Sequence, residues 1–332
     1  MLHDARLHSA RSAREAILDH GRAVLDVEAR ALATLGELLD EQFARAVELI
    51  VETRGRVIVS GMGKSGHIAR KMAATFASTG TPAIFIHPGE AAHGDLGMVI
   101  AGDLLVVLSN SGATPELRPI THHAQRLGCP IIGITSQPDS PITQISSACL
   151  TLPKVREICP LNISPTTSTT LMLALGDALA VATMSVRGIS REQLELLHPG
   201  GVIGSRLLPV NDIMHAGQQL PLVAAETPMR DVLVTMTEKS LGIAGVVDAA
   251  GRLIGTITDG DLRRNIDRLL ISIAADVMTR SPKTVPDGTY AEDALAIMTA
   301  KKITALFVMN HDAPEVPIGL VHIHDFNRLG LS

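Results

Sequence analysis

Two periods of apolar residues divide the chain. Between residues 11 and 52, Leu18, Leu25, Leu32 and Leu39 recur every seven positions, with Ile17, Val24 and Leu35 beside them. That spacing predicts a helix with one apolar stripe, packed on its own domain by default or on a sister subunit. From Val57 the pattern changes to unbroken apolar runs at 57–59, 83–86, 104–108, 130–135 and 149–152, separated by helical stretches. Strands without polar alternation are buried on both faces, so these runs predict an α/β domain with a doubly wound five-stranded parallel sheet. A helical run at 167–186, carrying Leu171, Leu175 and Leu179, closes it.

The first strand enters the glycine-rich turn Ser60-Gly-Met-Gly-Lys-Ser-Gly-His67. Backbone N–H groups at the start of the next helix attract anions, and Lys64 adds a full positive charge. Gly61, Gly63 and Gly66 satisfy the dinucleotide spacing, but the next strand ends in His87-Pro88 where an acidic residue is needed. A Walker phosphate loop fails because its first glycine falls on Ile58. A phosphosugar loop is the third reading, and it depends on the rest of the chain. The third strand ends in Ser109-Asn-Ser-Gly-Ala-Thr-Pro-Glu116, where Thr114 and Pro115 read as N-cap and first helical position. A cap needs one hydroxyl, and this loop offers three. In the flavodoxin-like strand order 2-1-3-4-5, the first and third strands are neighbours and both loops face one crevice.

Composition narrows the partners. The chain is 46% hydrophobic with a formal charge of −5 and no Trp, which leaves no footprint for nucleic acid or an anionic membrane. Cys129, Cys149 and Cys159 lack metal-like spacing and read as small buried hydrophobes in a reducing compartment. The N-terminus carries no signal-peptide pattern, and no apolar run reaches the roughly 18 residues of a membrane span. A cytoplasmic location is expected.

The C-terminal part is a duplication. Asp212-Ile-Met214 recurs as Asp276-Val-Met278, and the segment 255–261 recurs as 319–325 at the same offset. The expected divisions are a helical arm over 1–52, the sheet domain over 53–206, and repeats over 207–270 and 271–332. His322-x-His324-Asp325 is read as a strand whose two imidazoles diverge, and no metal is assigned to it.

The two polar loops, His93-Gly-Asp-Leu-Gly97, Glu157-Ile-Cys-Pro160, 165–169, 176–179 and His198-Pro-Gly-Gly201 together resemble the sugar isomerase (SIS) domain of the bacterial arabinose-5-phosphate isomerases. The duplicated tail resembles tandem CBS repeats. The resemblance implies reversible aldose–ketose isomerisation of D-ribulose 5-phosphate and D-arabinose 5-phosphate through an enediol. It also implies a first step toward 3-deoxy-D-manno-octulosonate for lipopolysaccharide, and a homotetramer. It carries Lys64, Glu116, Glu157 and His198 over as catalytic candidates, with His93 in second rank. Ser60, Gly61, Gly63, Ser65, Ser109, Asn110, Ser111 and Thr114 are the substrate-binding candidates.

Glu157 is the expected carbon base and Glu116 the alternative. A free glutamate has a pKa of about 4.3, so burial or a neighbouring carboxylate is expected to raise it. Each candidate also has a plainer role: Glu116 as a dipole partner, Glu157 as a surface charge beside Lys154 and Arg156, His198 as a turn residue. Acid–base groups suffice for enediol chemistry, so no cofactor is expected. Thr258, Asp261 and Asp325 match CBS positions that contact ribose and phosphate, which implies a nucleotide-type effector. His322 departs from that pattern, standing where the second repeat should have threonine. The rival functions are a phosphosugar-sensing regulator, which carries an N-terminal helix-turn-helix where this chain has an apolar-striped arm, an isomerase of another phosphosugar, and a dehydrogenase.

Overall fold

The computed structural model describes residues 2–331, and the side chains of all of these except 2–13, 202 and 203. Two compact units follow one another, Met1–Gln193 and Leu194–Ser332, so the expected boundary at 206/207 falls inside the second.

In the first unit, α1 (Leu2–Glu37) and α2 (Glu41–Glu52) lead into β1 (Val57–Gly61), α3 (Gly63–Ser78), β2 (Ala83–Phe85) and α4 (Pro88–Ala91). Then come β3 (Leu104–Leu108), α5 (Arg118–Arg126), β4 (Ile131–Thr135), α6 (Pro141–Ile145), β5 (Ala148–Thr151) and α7 (Thr167–Arg187). The strands are all parallel in the order β2-β1-β3-β4-β5, as the apolar runs predict. Successive side chains leave a strand on opposite faces. Val57, Val59, Leu104 and Val106 accordingly meet Ile50, Met72, Phe76 and Leu175 from α2, α3 and α7. Ile58, Leu105 and Val107 meet Leu117, Ile120 and Ile142 on the side of α5 and α6. Each large apolar side chain buried in this way contributes roughly 1.5–3 kcal/mol.

The single helix expected over 11–52 is two. Asp40 breaks it: the carboxylate accepts from Gln42 N at 2.9 Å and starts α2 as an N-cap. The apolar stripe divides as well. Ala31 and Leu35 are buried on the domain with Leu32 beside them, whereas Ile17, Leu18 and Leu25 stand exposed. A second correction concerns α7, which is long and apolar enough by length and composition to cross a membrane. It is a core helix: Leu171, Met172, Leu175 and Leu179 are buried, and Asp177 pairs with Lys71 of α3.

The second unit holds β6 (His215–Ala216), β7 (Leu222–Ala224), β8 (Ile243–Val247), β9 (Leu253–Thr258), β10 (Thr279–Arg280), β11 (Thr284–Pro286), β12 (Ala305–Met309) and β13 (Pro317–His322). They form two four-stranded sheets, β10-β9-β8-β7 and β11-β12-β13-β6. The sheets are equivalent strand for strand, and each is completed by the short strand that precedes the other repeat. A shared core of Leu241, Ile243, Ala305, Phe307 and Leu320 joins them. The imidazoles of His322 and His324 do not diverge, because the two residues do not share a strand. His322 closes β13 and caps the helix Ile323–Arg328, His324 lies in that helix's first turn, and their ring centroids are 4.7 Å apart.

Tight approach at the β1–α3 turn is the local demand on sequence. A Cβ on Gly66 would sit 2.5 Å from the Gly61 carbonyl oxygen, whereas one on Gly21 in α1 would meet nothing within 4 Å. Gly66→Ala should therefore cost about 1–3 kcal/mol, read as a lowered Tm. Gly21→Ala should leave the Tm unchanged or raise it, since alanine is the better helix former.

Candidate active site

The glycine turn sits at the carboxyl edge of the sheet. Gly63 has φ +57°, a left-handed conformation that glycine adopts without strain, and it opens α3. Met62 occupies the N-cap position and supplies no side-chain hydrogen bond, so the first-turn N–H groups of α3 have no side-chain cap. A helix start of this kind favours an anion by about 0.3–1 kcal/mol near the surface. Lys64 is exposed within that first turn and Ser65 is half-buried beside it. Ser60 behaves otherwise. Its hydroxyl is buried and donates to Ile86 O at 2.8 Å, so it ties β1 to the end of β2.

The second loop adjoins the first because β3 pairs with β1, Gly61 standing opposite Leu108. Thr114 does not cap a helix: its hydroxyl lies 2.7 Å from Ser109 Oγ, and Ser111 Oγ lies 3.5 Å from the same atom. The hydroxyls gather on Ser109, the capping expectation fails, and Pro115–Leu117 forms a 3-10 turn carrying an exposed Glu116. Asn110 presents an exposed side chain while its carbonyl accepts from Thr135 Oγ1 at 3.2 Å and Ser136 Oγ at 2.9 Å. Gly112 has φ +61° and a Cβ there would collide with Ser140. These contacts, invisible in the loop's own sequence, fix its shape from the next strand.

Glu157 follows β5 and lines a cleft of about 510 Å³ with Arg30 and Thr34 of α1, Arg156 and Cys159. Its carboxylate accepts from Thr166 N at 2.7 Å, Thr166 Oγ1 at 3.1 Å and Ser168 N at 3.3 Å. Burial pushes this carboxyl up, but the donors from Ser168 and Thr166 outweigh it and hold it below the usual carboxylate range. The expected upward shift is thus reversed, and no neighbouring carboxylate raises it. The hydroxyl run 165–169 was the available signal for this arrangement.

Cys159 is a further correction to the reading of the cysteines as buried hydrophobes. Its sulfur accepts from Ser164 N and Ile163 N, each at 3.1 Å, and these backbone donors, Ser164 first, draw the thiol below its ordinary range. Cys129 does behave as a buried hydrophobe, and burial raises its thiol.

His93 is exposed in the turn after α4, its backbone N–H donating to Glu90 O at 2.9 Å. His198 lies in the second unit, with Nδ1 2.9 Å from Leu194 O. In that unit Thr258 and Asp261 line a cleft of about 410 Å³ with Arg264, Thr279, Lys283 and Lys302. Asp261 accepts from the hydroxyls of Thr258 and Thr279, each at 2.7 Å. The equivalent Asp325 meets His215 Nε2 at 3.2 Å and accepts from the backbone N–H of His322 at 2.8 Å, so the imidazole of His215 stands in the place of the Thr279 hydroxyl and no side-chain hydroxyl takes that of Thr258.

The matches to known proteins agree with this architecture. Residues 49–182 match the SIS domain family, and residues 210–268 and 274–331 match the CBS domain family. The class is therefore that of SIS-domain proteins carrying a tandem CBS pair. Over 315 residues the chain is 45% identical to arabinose 5-phosphate isomerase KdsD of Yersinia pestis, covering 94% of this chain and 95% of that protein. Identity to the protein of the same name from Escherichia coli (strain K12) is 44% over 316 residues, with the same coverage. Among solved structures, E. coli CFT073 c3406 in complex with A5P has TM-score 0.53 and 34% identity, covering 57% of this chain and 98% of that one. The chain belongs to the arabinose 5-phosphate isomerase KdsD family.

The donors on Glu157 give a testable pH dependence. A carboxylate with a depressed folded pKa adds stability above its unfolded pKa, and that stability is lost as pH falls through the folded value. The Tm difference between the protein and its Glu157→Gln variant should therefore be largest near neutrality and shrink in acid, at and below the ordinary carboxylate range. A constant difference across pH would contradict the arrangement.

Proposed function

We propose that the protein isomerises D-ribulose 5-phosphate and D-arabinose 5-phosphate, the reaction that begins 3-deoxy-D-manno-octulosonate synthesis for lipopolysaccharide. The observation that carries this reading is near-full-length identity, 44–45%, to enzymes named for that activity. The site's chemistry agrees. The N–H groups opening α3, with Ser65, Gly61 and Gly63, and the hydroxyls of Ser109, Ser111 and Thr114 with Asn110, suit the phosphate. Holding that remote group orients C1 and C2 for reaction.

In the proposed mechanism Glu157, ionised, removes a proton from C1 of the ketose, exchanges it with solvent while the enediol stands, and delivers a solvent-derived proton to C2. Lys64 stabilises the enediolate oxygen, and Glu116 or His198 moves the proton between O1 and O2, with His93 in a supporting place. A low carboxylate pKa suits a base that must be ionised on arrival, although it weakens the proton affinity that drives abstraction. Glu116 remains the alternative base.

A homotetramer in the cytoplasm completes the proposal. The exposed apolar residues Ile17, Leu18 and Leu25 on α1 and Val181 and Val186 on α7 support association. The free cysteines suit a reducing compartment. The 410 Å³ cleft, with Arg264, Lys283 and Lys302 around hydroxyls, supports a nucleotide-type effector at Thr258 and Asp261. Asp325, occupied by His215, is left out of that role.

Purified protein should convert ribulose 5-phosphate to arabinose 5-phosphate, and Glu157→Gln and Lys64→Ala should each lower kcat about 10²–10⁴-fold. Unchanged ribulose 5-phosphate would end the assignment. Near-normal turnover by Glu157→Gln, with loss in Glu116→Gln, would transfer the base to Glu116. Light scattering should give four subunits, and Leu25→Glu should dissociate them. Adenine nucleotides should raise the Tm, with the effect lost in Asp261→Ala; no shift in either protein would remove the effector.

A further inference from the structure

We infer that Thr166 is a positioning residue for the base, holding the Glu157 carboxylate ionised and in place through a hydroxyl whose donor direction is fixed by the backbone. The inference rests on the proposed role of Glu157 as carbon base.

Thr166 precedes α7 as its N-cap residue, yet its side chain makes no capping bond to that helix. The hydroxyl faces back along the chain. Ile158 N lies 3.2 Å from Thr166 Oγ1, and an amide N–H can only donate, so it fills a lone pair of that oxygen. The threonine proton is then left for Glu157 Oε2 at 3.1 Å. Thr166 N at 2.7 Å and Ser168 N at 3.3 Å reach the same Oε2. These three bonds converge on one oxygen, and the Ser168 hydroxyl is a further donor to the carboxylate.

The backbone of Glu157 is held too. Its N–H donates to Asn162 Oδ1 at 2.8 Å, and Asn162 sits at φ +53°, a conformation asparagine tolerates better than most residues. The segment is thus clasped from the loop tip by Asn162 and from the helix start by Thr166. The other charged and titratable groups facing this carboxylate are Arg30 of α1 and, in its own segment, Arg156 and Cys159. Changing Thr166 alters none of them.

A clasp that merely closed the loop would affect stability alone. A positioning hydroxyl affects the protonation of the base as well, and the pH dependence of kcat/KM reports that in the free enzyme. Thr166→Val should move the acidic limb of the profile to higher pH. At the acid end this is a loss of about 10-fold, the size expected for one hydrogen bond to a charged group, with a smaller loss at alkaline pH. Thr166→Ser should restore the wild-type limb.

Glu157→Gln is measured beside these variants. If it turns over normally, the base reading fails and the inference with it. If it is inactive while the Thr166→Val profile superimposes on wild type, only the positioning role is overturned. The same holds if serine behaves like valine. Should Thr166→Val not fold, Thr166→Ala removes the same hydroxyl without the added methyl group, and its displaced or unmoved limb decides the question.

Discussion

The parallel pairing of β1 with β3 is the constraint on which the site depends. In that register Ser60 stands opposite Val107 and Gly61 opposite Leu108, so the two strands end together and release their loops at one edge. β2, which lies between them in sequence, is displaced to the outside of β1, and the strand order reverses there. Such a reversal leaves a crevice that no crossover helix fills. The uncapped start of α3 and the hydroxyls gathered on Ser109 come to one edge of the sheet only because of this adjacency. Both strands hold it rigidly, since every residue of each is buried between helical layers.

The sheet was legible because continuous apolar strands and helical intervals leave few alternatives. The duplication was equally legible from one repeated offset, and it returns as two sheets that match strand for strand. What escaped were effects of tertiary hydrogen bonding. Thr114 carries the residue type of an N-cap, but Ser109 lies closer to its hydroxyl than any helix N–H. Ser60 belongs to a phosphate-loop motif, yet the pleat turns its hydroxyl inward to Ile86 O. The break at Asp40 had a sequence signal, an aspartate followed by glutamate, which the heptad spacing of leucines overrode in the reading.

Glu157 shows the limit most clearly. Glutamate in a pocket suggests desolvation and a raised pKa, and burial does push this carboxyl upward. The start of α7 reverses the outcome by supplying donors from a segment whose fold cannot be read from the residues around Glu157. The same principle separates the two CBS halves. Asp261 and Asp325 are equivalent by duplication, but the first is held by threonine hydroxyls that face a cleft and the second by the imidazole of His215.

The central claim is that proton transfer between C1 and C2 at this sheet edge runs through an enediol formed by a carboxylate base. Nuclear magnetic resonance of ribulose 5-phosphate incubated with the protein in D₂O tests it most directly. Arabinose 5-phosphate carrying deuterium at C2 is the predicted result. Product with protium at C2 throughout, or substrate recovered unchanged, would contradict the account.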